Sequence, residues 1–155
     1  MAPEFTCITY DPRYKNEYRT LNERWISEYF KIEPKDTEQL CNPEECRDDG
    51  GEIFFIVHNG EAVGTCAVYK MDNGVYELAK MAVHPNYQGR GLSNTLMEQS
   101  EAWVKEQGGR EMLIRSNRVL TPAITLYRKH GYIEIPMDGA DPEYARCNIS
   151  MKKPI

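Results

Sequence analysis

The chain has 155 residues, a net charge of −5, 28% charged and 41% hydrophobic residues. That composition excludes a disordered or membrane-embedded chain, because no apolar run approaches the ~18–20 residues a bilayer span needs. It also argues against a nucleic-acid partner, and the length fits a single domain over residues 1–155.

In chain order, Phe5 to Tyr10 alternate and predict a first strand. Tyr14, Tyr18, Leu21, Trp25 and Tyr29 then fall at steps of three and four, one face of a helix. Pro34 interrupts it, and a shorter polar helix is expected near Asp36 to Cys46. "GGEIFFIVHNGEAVGTCAVYK" predicts two strands joined at Asn59-Gly60, and Asn73-Gly74 turns into a third. Gly89 to Gln107 predicts a helix stopped by Gly108-Gly109. "EMLIRS" predicts a buried strand, Thr121 to His130 a helix, and "YIEIP" and "YARCNISMKK" two closing strands. The order β-α-α-β-β-β-α-β-α-β-β implies an α/β fold, a mixed central β-sheet flanked by helices on both faces.

The N-terminus lacks a basic segment followed by an apolar one, so no signal peptide is expected. Five cysteines, Cys7, Cys41, Cys46, Cys66 and Cys147, include no C-x-x-C pair. Neither a disulfide framework nor a metal site is expected, and a cytoplasmic setting follows. The histidines His58, His84 and His130 are scattered and occupy turn or helix-end positions. No chemistry is assigned to them.

The chemistry-bearing stretch is "YQGRGLSNTL", residues 87–96. Glycines at a helix mouth let unpaired backbone amides approach an anion. A phosphate-binding loop of the Walker type needs a lysine after the last glycine, and none follows Gly91. A dinucleotide loop needs a third glycine where Asn94 stands. Nucleotide hydrolysis and hydride transfer therefore lose ground.

Gln88-Gly89-Arg90-Gly91-Leu92-Ser93 resembles the Q/R-x-x-G-x-G/A motif of the GCN5-related N-acetyltransferases, the GNAT superfamily, with Ser93 in place of the usual last glycine or alanine. "ELAKMAVHPNYQGRG" is similar to that family's central strand and loop. Ser116-Asn117 with "AITLYRKHGY" resembles its second cofactor motif. "LNERWISEYFKIEPKD" resembles a bacterial subgroup of small members whose substrates are unassigned.

The resemblance implies the GNAT fold and acetyl-CoA as acyl-donor cosubstrate, with no metal. It implies diphosphate binding by the amides of Gln88, Gly89, Arg90, Gly91, Leu92 and Ser93, with Arg90 adding charge. Met81, Ala82 and Val83 would pair with the pantetheine arm, the amide near Met81 would serve the developing oxyanion, and Asn117 and Tyr127 would meet the thioester end. Tyr127 is the implied acid for the departing thiolate. Glu77, a carboxylate inside an apolar strand, is the candidate base, and pairing with a nearby lysine or arginine is the alternative. Strict alternation would put Glu77, Ala79, Met81 and Val83 on one face.

For the acceptor, Trp25 and Tyr29 are candidate walls. Arg146 is a candidate carboxylate clamp, and Glu33 and Asp36 are candidate ammonium holders. The expected reaction is direct attack of a primary amine, first a small molecule bearing a carboxylate, second a protein lysine or N-terminus. A non-catalytic acyl-CoA sensor is the rival. A homodimer stays open, and no membrane partner is expected.

Overall fold

In the computed structural model, residues 4–137, 139, 141 and 143–155 are described. The elements are β1 (Thr6–Thr9), α1 (Lys15–Tyr29), α2 (Pro34–Cys41), α3 (Pro43–Asp48), β2 (Glu52–His58), β3 (Glu61–Lys70) and β4 (Val75–Val83). They continue with α4 (Leu92–Glu106), β5 (Glu111–Ser116), α5 (Thr121–Lys129), β6 (Ile133–Ile135) and β7 (Ile149–Pro154).

The strands form one seven-stranded sheet in the order β1-β2-β3-β4-β5-β7-β6. Only β4 and β5 run parallel; the other neighbours are antiparallel. One core lies under α1, α2 and α3, built from Tyr18, Ile26, Leu40, Ile53 and Phe55. The other lies under α4 and α5, built from Phe54, Val68, Leu78, Leu96 and Ile124. Alternation along β2 feeds both, because successive side chains leave opposite faces.

The hairpin signals hold. Asn59 and Gly60 take φ of 51° and 76°, and Asn73 and Gly74 take 59° and 77°. Asn59-Gly60 is a two-residue hairpin loop of the kind that favours this left-handed backbone, and Asn73-Gly74 closes the four-residue loop between Lys70 and Val75.

Two expectations need correction. The single polar helix predicted over Asp36 to Cys46 is two, α2 and α3, so the chain has one helix more than expected. Pro43 has no N–H to donate and drives Asn42 out of the helical region, to φ −131° and ψ 59°. The last strand also starts later than Tyr144. Asp141 accepts from the backbone of both Glu143 and Tyr144, and Cys147 N–H turns back to the Tyr144 carbonyl. Residues 143–148 are thus a strap of turns leading into β7.

The feature that makes a site is the parting of β4 from β5. They pair only from Val75↔Glu111 to Glu77↔Leu113. Beyond Glu77, β4 loses its partner on that side, and β5 continues against β7. An edge with unspent backbone groups and a groove of about 510 Å³ result.

Candidate active site

At one end of the groove lies the glycine loop. Gly89 and Gly91 take φ of 78° and 75°. A Cβ at Gly89 would meet nothing within 4 Å, and one at Gly91 only Asn94 Nδ2, at 4.0 Å. Neither glycine is required by packing inside the protein. Each is required by its backbone angle, and the space before it is open. The α4 helix begins at Leu92, with Gly91 as a cap that brings no side chain. Thr95 N–H makes the first bond back to the Gly91 carbonyl, so the amides just before it have no helical partner.

Gln88, Gly89 and Ser93 line the groove. The Gln88 side chain donates to the Val83 carbonyl at 3.2 Å, which braces the loop. Leu92 is buried beneath the loop, and Arg90 is exposed over the Tyr87 ring, 5.4 Å from its centre. Open amides, a splayed strand edge and a continuous groove fit a diphosphate joined to an extended arm. They are the features acetyl-CoA needs.

The second element is a bulge in β4. Thr65 pairs with Ala82 and Ala67 with Ala79, so β4 carries one residue more than β3 across that step. Lys80 adopts φ 54°, a left-handed conformation costing an ordinary residue roughly 1–2 kcal/mol. The expected alternation therefore breaks. Met81 and Val83 pack on the α4 side with Tyr76 and Leu78, while Lys80 turns toward α2. Met81, Ala82 and Val83 all line the groove.

Tyr127 and Asn117 line the groove from α5 and from the loop before it. Among the described residues the Tyr127 hydroxyl has no hydrogen-bond partner. Burial first, then the nearby Cys66 thiol, push its pKa up to about 12, so it stays a protonated donor at neutral pH. Asn117 is spent locally. It donates to the Arg146 carbonyl at 2.6 Å and accepts from Val119 N–H at 2.8 Å, fixing the turn at the groove's rim.

Glu77 is the groove's one lining carboxylate among the described residues. Both its oxygens accept from Arg115, from Nε at 2.6 Å and Nη2 at 2.9 Å. The ion pair is therefore present, and each oxygen keeps a lone pair beyond the one given to Arg115. Arg115 went unread in the sequence, although it carries the same signal as Glu77, a charge inside an apolar strand. Its Nη1 also reaches Asp141 at 3.1 Å and Glu143 at 3.2 Å, which ties down the strap.

The acceptor-side residues come together, but not in the expected pairing. Trp25 and Tyr29 line the groove with Phe30, and Tyr29 is 53% exposed at its mouth. Trp25 Nε1 donates to the buried Asn22, which sets the ring's orientation. Arg146 lines the groove too, yet its guanidinium grips Asp36 with two bonds of 2.6 Å and Glu33 at 3.1 Å. Asp36 is 0% exposed and also accepts from Lys80 Nζ at 2.6 Å.

Asp36 and Glu33 are thus committed to protein cations rather than free for an acceptor ammonium. Burial alone would raise the Asp36 pKa, but hydrogen bonds from Arg146 and Lys80 overcome it and hold the group at about 2. Burial lowers the Lys80 pKa, against the pull of Asp36. The Tyr144 ring lies within cation–π range of Lys80, Arg115 and Arg146, at 4.9, 5.4 and 4.7 Å, and its hydroxyl donates to Gln39 on α2.

The histidines hold structure. His84 accepts from Asn86 N–H, His58 stacks on Phe5 at 4.3 Å, and His130 bonds Asn94 at 2.7 Å. Cys147 is the one lining cysteine among the described residues, and burial raises its thiol to about 11. No cluster of metal-ligating side chains occurs among the described residues, and no helix is long and apolar enough to cross a membrane.

Residues 16–132 match the model of the acetyltransferase (GNAT) family. An uncharacterized N-acetyltransferase of Chlorobaculum tepidum is 29% identical over 84 residues, 54% of this chain and 51% of that protein. The match thus spans about half the length of that relative. Streptothricin acetyltransferase A of Bacillus subtilis is 24% identical over 123 residues, 79% of this chain and 69% of that one. A GNAT acetyltransferase structure from Staphylococcus aureus superposes with a TM-score of 0.88 at 22% identity, covering 97% of this chain and 99% of the other. A PaiA N-acetyltransferase from Thermoplasma acidophilum, solved with coenzyme A, superposes at 0.77 and 14% identity, covering 98% and 99%.

Proposed function

The chain belongs to the acetyltransferase (GNAT) family, and from that premise we propose that it moves an acetyl group from acetyl-CoA to a small primary amine. The observation that carries the reading is the open groove between β4 and β5, running from the glycine loop past the bulge to the strap. When bound, acetyl-CoA supplies an activated acyl carbon and a thiolate leaving group.

The amides around Gly89, Gly91 and Ser93 take the diphosphate. The free edge of β4 pairs with the pantetheine arm. The backbone near Met81 donates to the acyl oxygen as charge develops there. The amine must lose a proton, since an alkylammonium has a pKa of about 10.4. It passes through water to Glu77, whose oxygens each keep a lone pair beyond the one given to Arg115.

Tyr127 serves the sulfur. A phenol near 12 would protonate an ordinary thiolate of about 8.5 only steeply uphill, but the same dry groove raises the thiolate as well. The hydroxyl therefore acts chiefly by hydrogen bonding to the departing sulfur. Direct attack by the amine is supported by Cys147, whose raised thiol is a poor nucleophile at neutral pH.

The acceptor we infer is zwitterionic. Lys80, Arg115 and Arg146 face the groove, while Asp36, Glu33, Asp141 and Glu143 stand among their partners together with Glu77. Spare N–H donors on Arg115 and Arg146 suit a carboxylate, and the lone pairs left on Glu77, the one carboxylate lining the groove among the described residues, suit an ammonium. Tyr127→Phe tests the mechanism. It should lower kcat about 100-fold and leave acetyl-CoA affinity within about twofold. An unchanged kcat would remove Tyr127 from the chemistry.

A further inference from the structure

Among the described residues, three non-glycines have positive φ: Asn59, Asn73 and Lys80. The two asparagines sit in Asn-Gly hairpin turns, where asparagine is at home. Lys80 sits inside a strand, and a lysine has no short polar side chain to offset that conformation locally. Something outside the strand must hold it.

The holder is visible. Lys80 Nζ bonds Asp36 Oδ1 at 2.6 Å, with the two side chains 3% and 0% exposed. Asp36 is itself fixed from two more directions: its Oδ2 accepts the Glu33 backbone N–H at 2.9 Å, and both its oxygens are held by Arg146. The lysine head also lies 4.9 Å from the centre of the Tyr144 ring. The start of α2 and the strap therefore grip the bulge through one ammonium group.

We propose that Lys80 is a positioning residue whose ion pair with Asp36 holds the β4 bulge in shape, so that the neighbouring backbone meets the acyl group of the bound thioester. The inference rests on the acetyltransferase reading above. It joins two walls of the groove: the strap and α2 on the acceptor side set the backbone on the donor side. A strand without the bulge would keep its alternation and turn Met81 to the opposite face.

The test separates the charge from the backbone, using calorimetry of the whole chain with acetyl-CoA and, in parallel, with CoA, which lacks the acetyl group. Lys80→Met keeps the length and loses the charge. Asp36 keeps its two bonds to Arg146, which supports folding. This variant should weaken acetyl-CoA about tenfold and CoA less than about twofold, the loss of one hydrogen bond to the acyl oxygen. Lys80→Gly loses the same charge but takes the left-handed backbone without strain, so it should keep acetyl-CoA affinity within about threefold of the parent.

Equal losses in the two variants would overturn the proposal, as would no loss in Lys80→Met. Circular dichroism checks that each variant folds, and a loss of more than about threefold in a folded Lys80→Gly overturns the proposal by itself, because glycine takes the bulge conformation unaided. A parent chain that bound neither ligand would instead refute the acetyltransferase reading itself.

Discussion

At the glycine end of the groove, the groups that face a ligand belong to the backbone. Gly89 and Gly91 touch nothing that would exclude a side chain, and the amides leading into α4 are unspent. At the strap end, the groups that face a ligand are charged heads, and nearly every one is already bound. Arg146 holds Asp36 and Glu33, Arg115 holds Glu77, Asp141 and Glu143, and Lys80 holds Asp36. The first end is open, as the proposed diphosphate site requires. The second is preorganised before any ligand arrives, so its shape is set by ion pairs that carry fold stability as well.

Substitutions at the two ends should therefore fail differently. Gly91→Val should have the largest effect, on binding alone. A β-branched residue resists φ 75° and puts carbon where the diphosphate would lie, so acetyl-CoA affinity should fall on the order of 100-fold with the fold intact. Calorimetry beside a thermal melt reads both quantities. If the melt collapsed with the affinity, the loop would be structural and the contrast between the ends would be lost.

Asp36→Asn should show the opposite pattern. Removing one member of a buried ion cluster typically costs about 3–5 kcal/mol, which lowers the melting temperature of a chain this size on the order of 10 °C. CoA affinity should change little. The acid limb sharpens the point. The Asp36 pKa is about 2 in the folded protein, below the usual ~3.9 of an unfolded aspartate, so its contribution is full above that value and fades as pH falls toward 2. The gap between parent and variant, measured by melts at pH 7, 4 and 2.5, should narrow in that order. A gap that widened on acidification would contradict the assigned ion pair.

Arg90→Ala should be the mildest change. The side chain is exposed beside Tyr87, so acetyl-CoA affinity should drop no more than about threefold, and less at high salt. A tenfold loss that persisted in salt would place Arg90 on the phosphate directly.

The same contrast explains what the sequence could show. The loop is legible in "QGRGLSN" because the chemistry lies in local backbone, and only glycine serves there. The hairpins at Asn59-Gly60 and Asn73-Gly74 are legible for the same reason. The strap end is not. Asp36 and Arg146 meet across 110 positions, and Glu77 and Arg115 across 38, distances at which no periodicity speaks.

Trp25, Tyr29 and Arg146 all line the groove, but Glu33 and Asp36, expected to hold an acceptor ammonium, are the partners of Arg146 instead. Lys80 misleads most. Alternation assigns it to the face opposite Glu77, and a single left-handed residue reverses that. The strap, with Tyr144 and Arg146 two apart, imitates a strand in sequence, whereas in the structure Asp141 accepts the backbone N–H of both Glu143 and Tyr144 and turns the chain.

The central claim is that the glycine loop and the splayed strands bind acetyl-CoA. Its most direct measurement is titration calorimetry of the whole chain with acetyl-CoA, with adenosine diphosphate as the control ligand. The account predicts micromolar binding of acetyl-CoA and much weaker binding of the control, because the strand edge adds the pantetheine arm to what the loop holds. Equal affinity for both would confine recognition to the loop and contradict the role given to β4, and no binding to a folded chain would contradict the account as a whole.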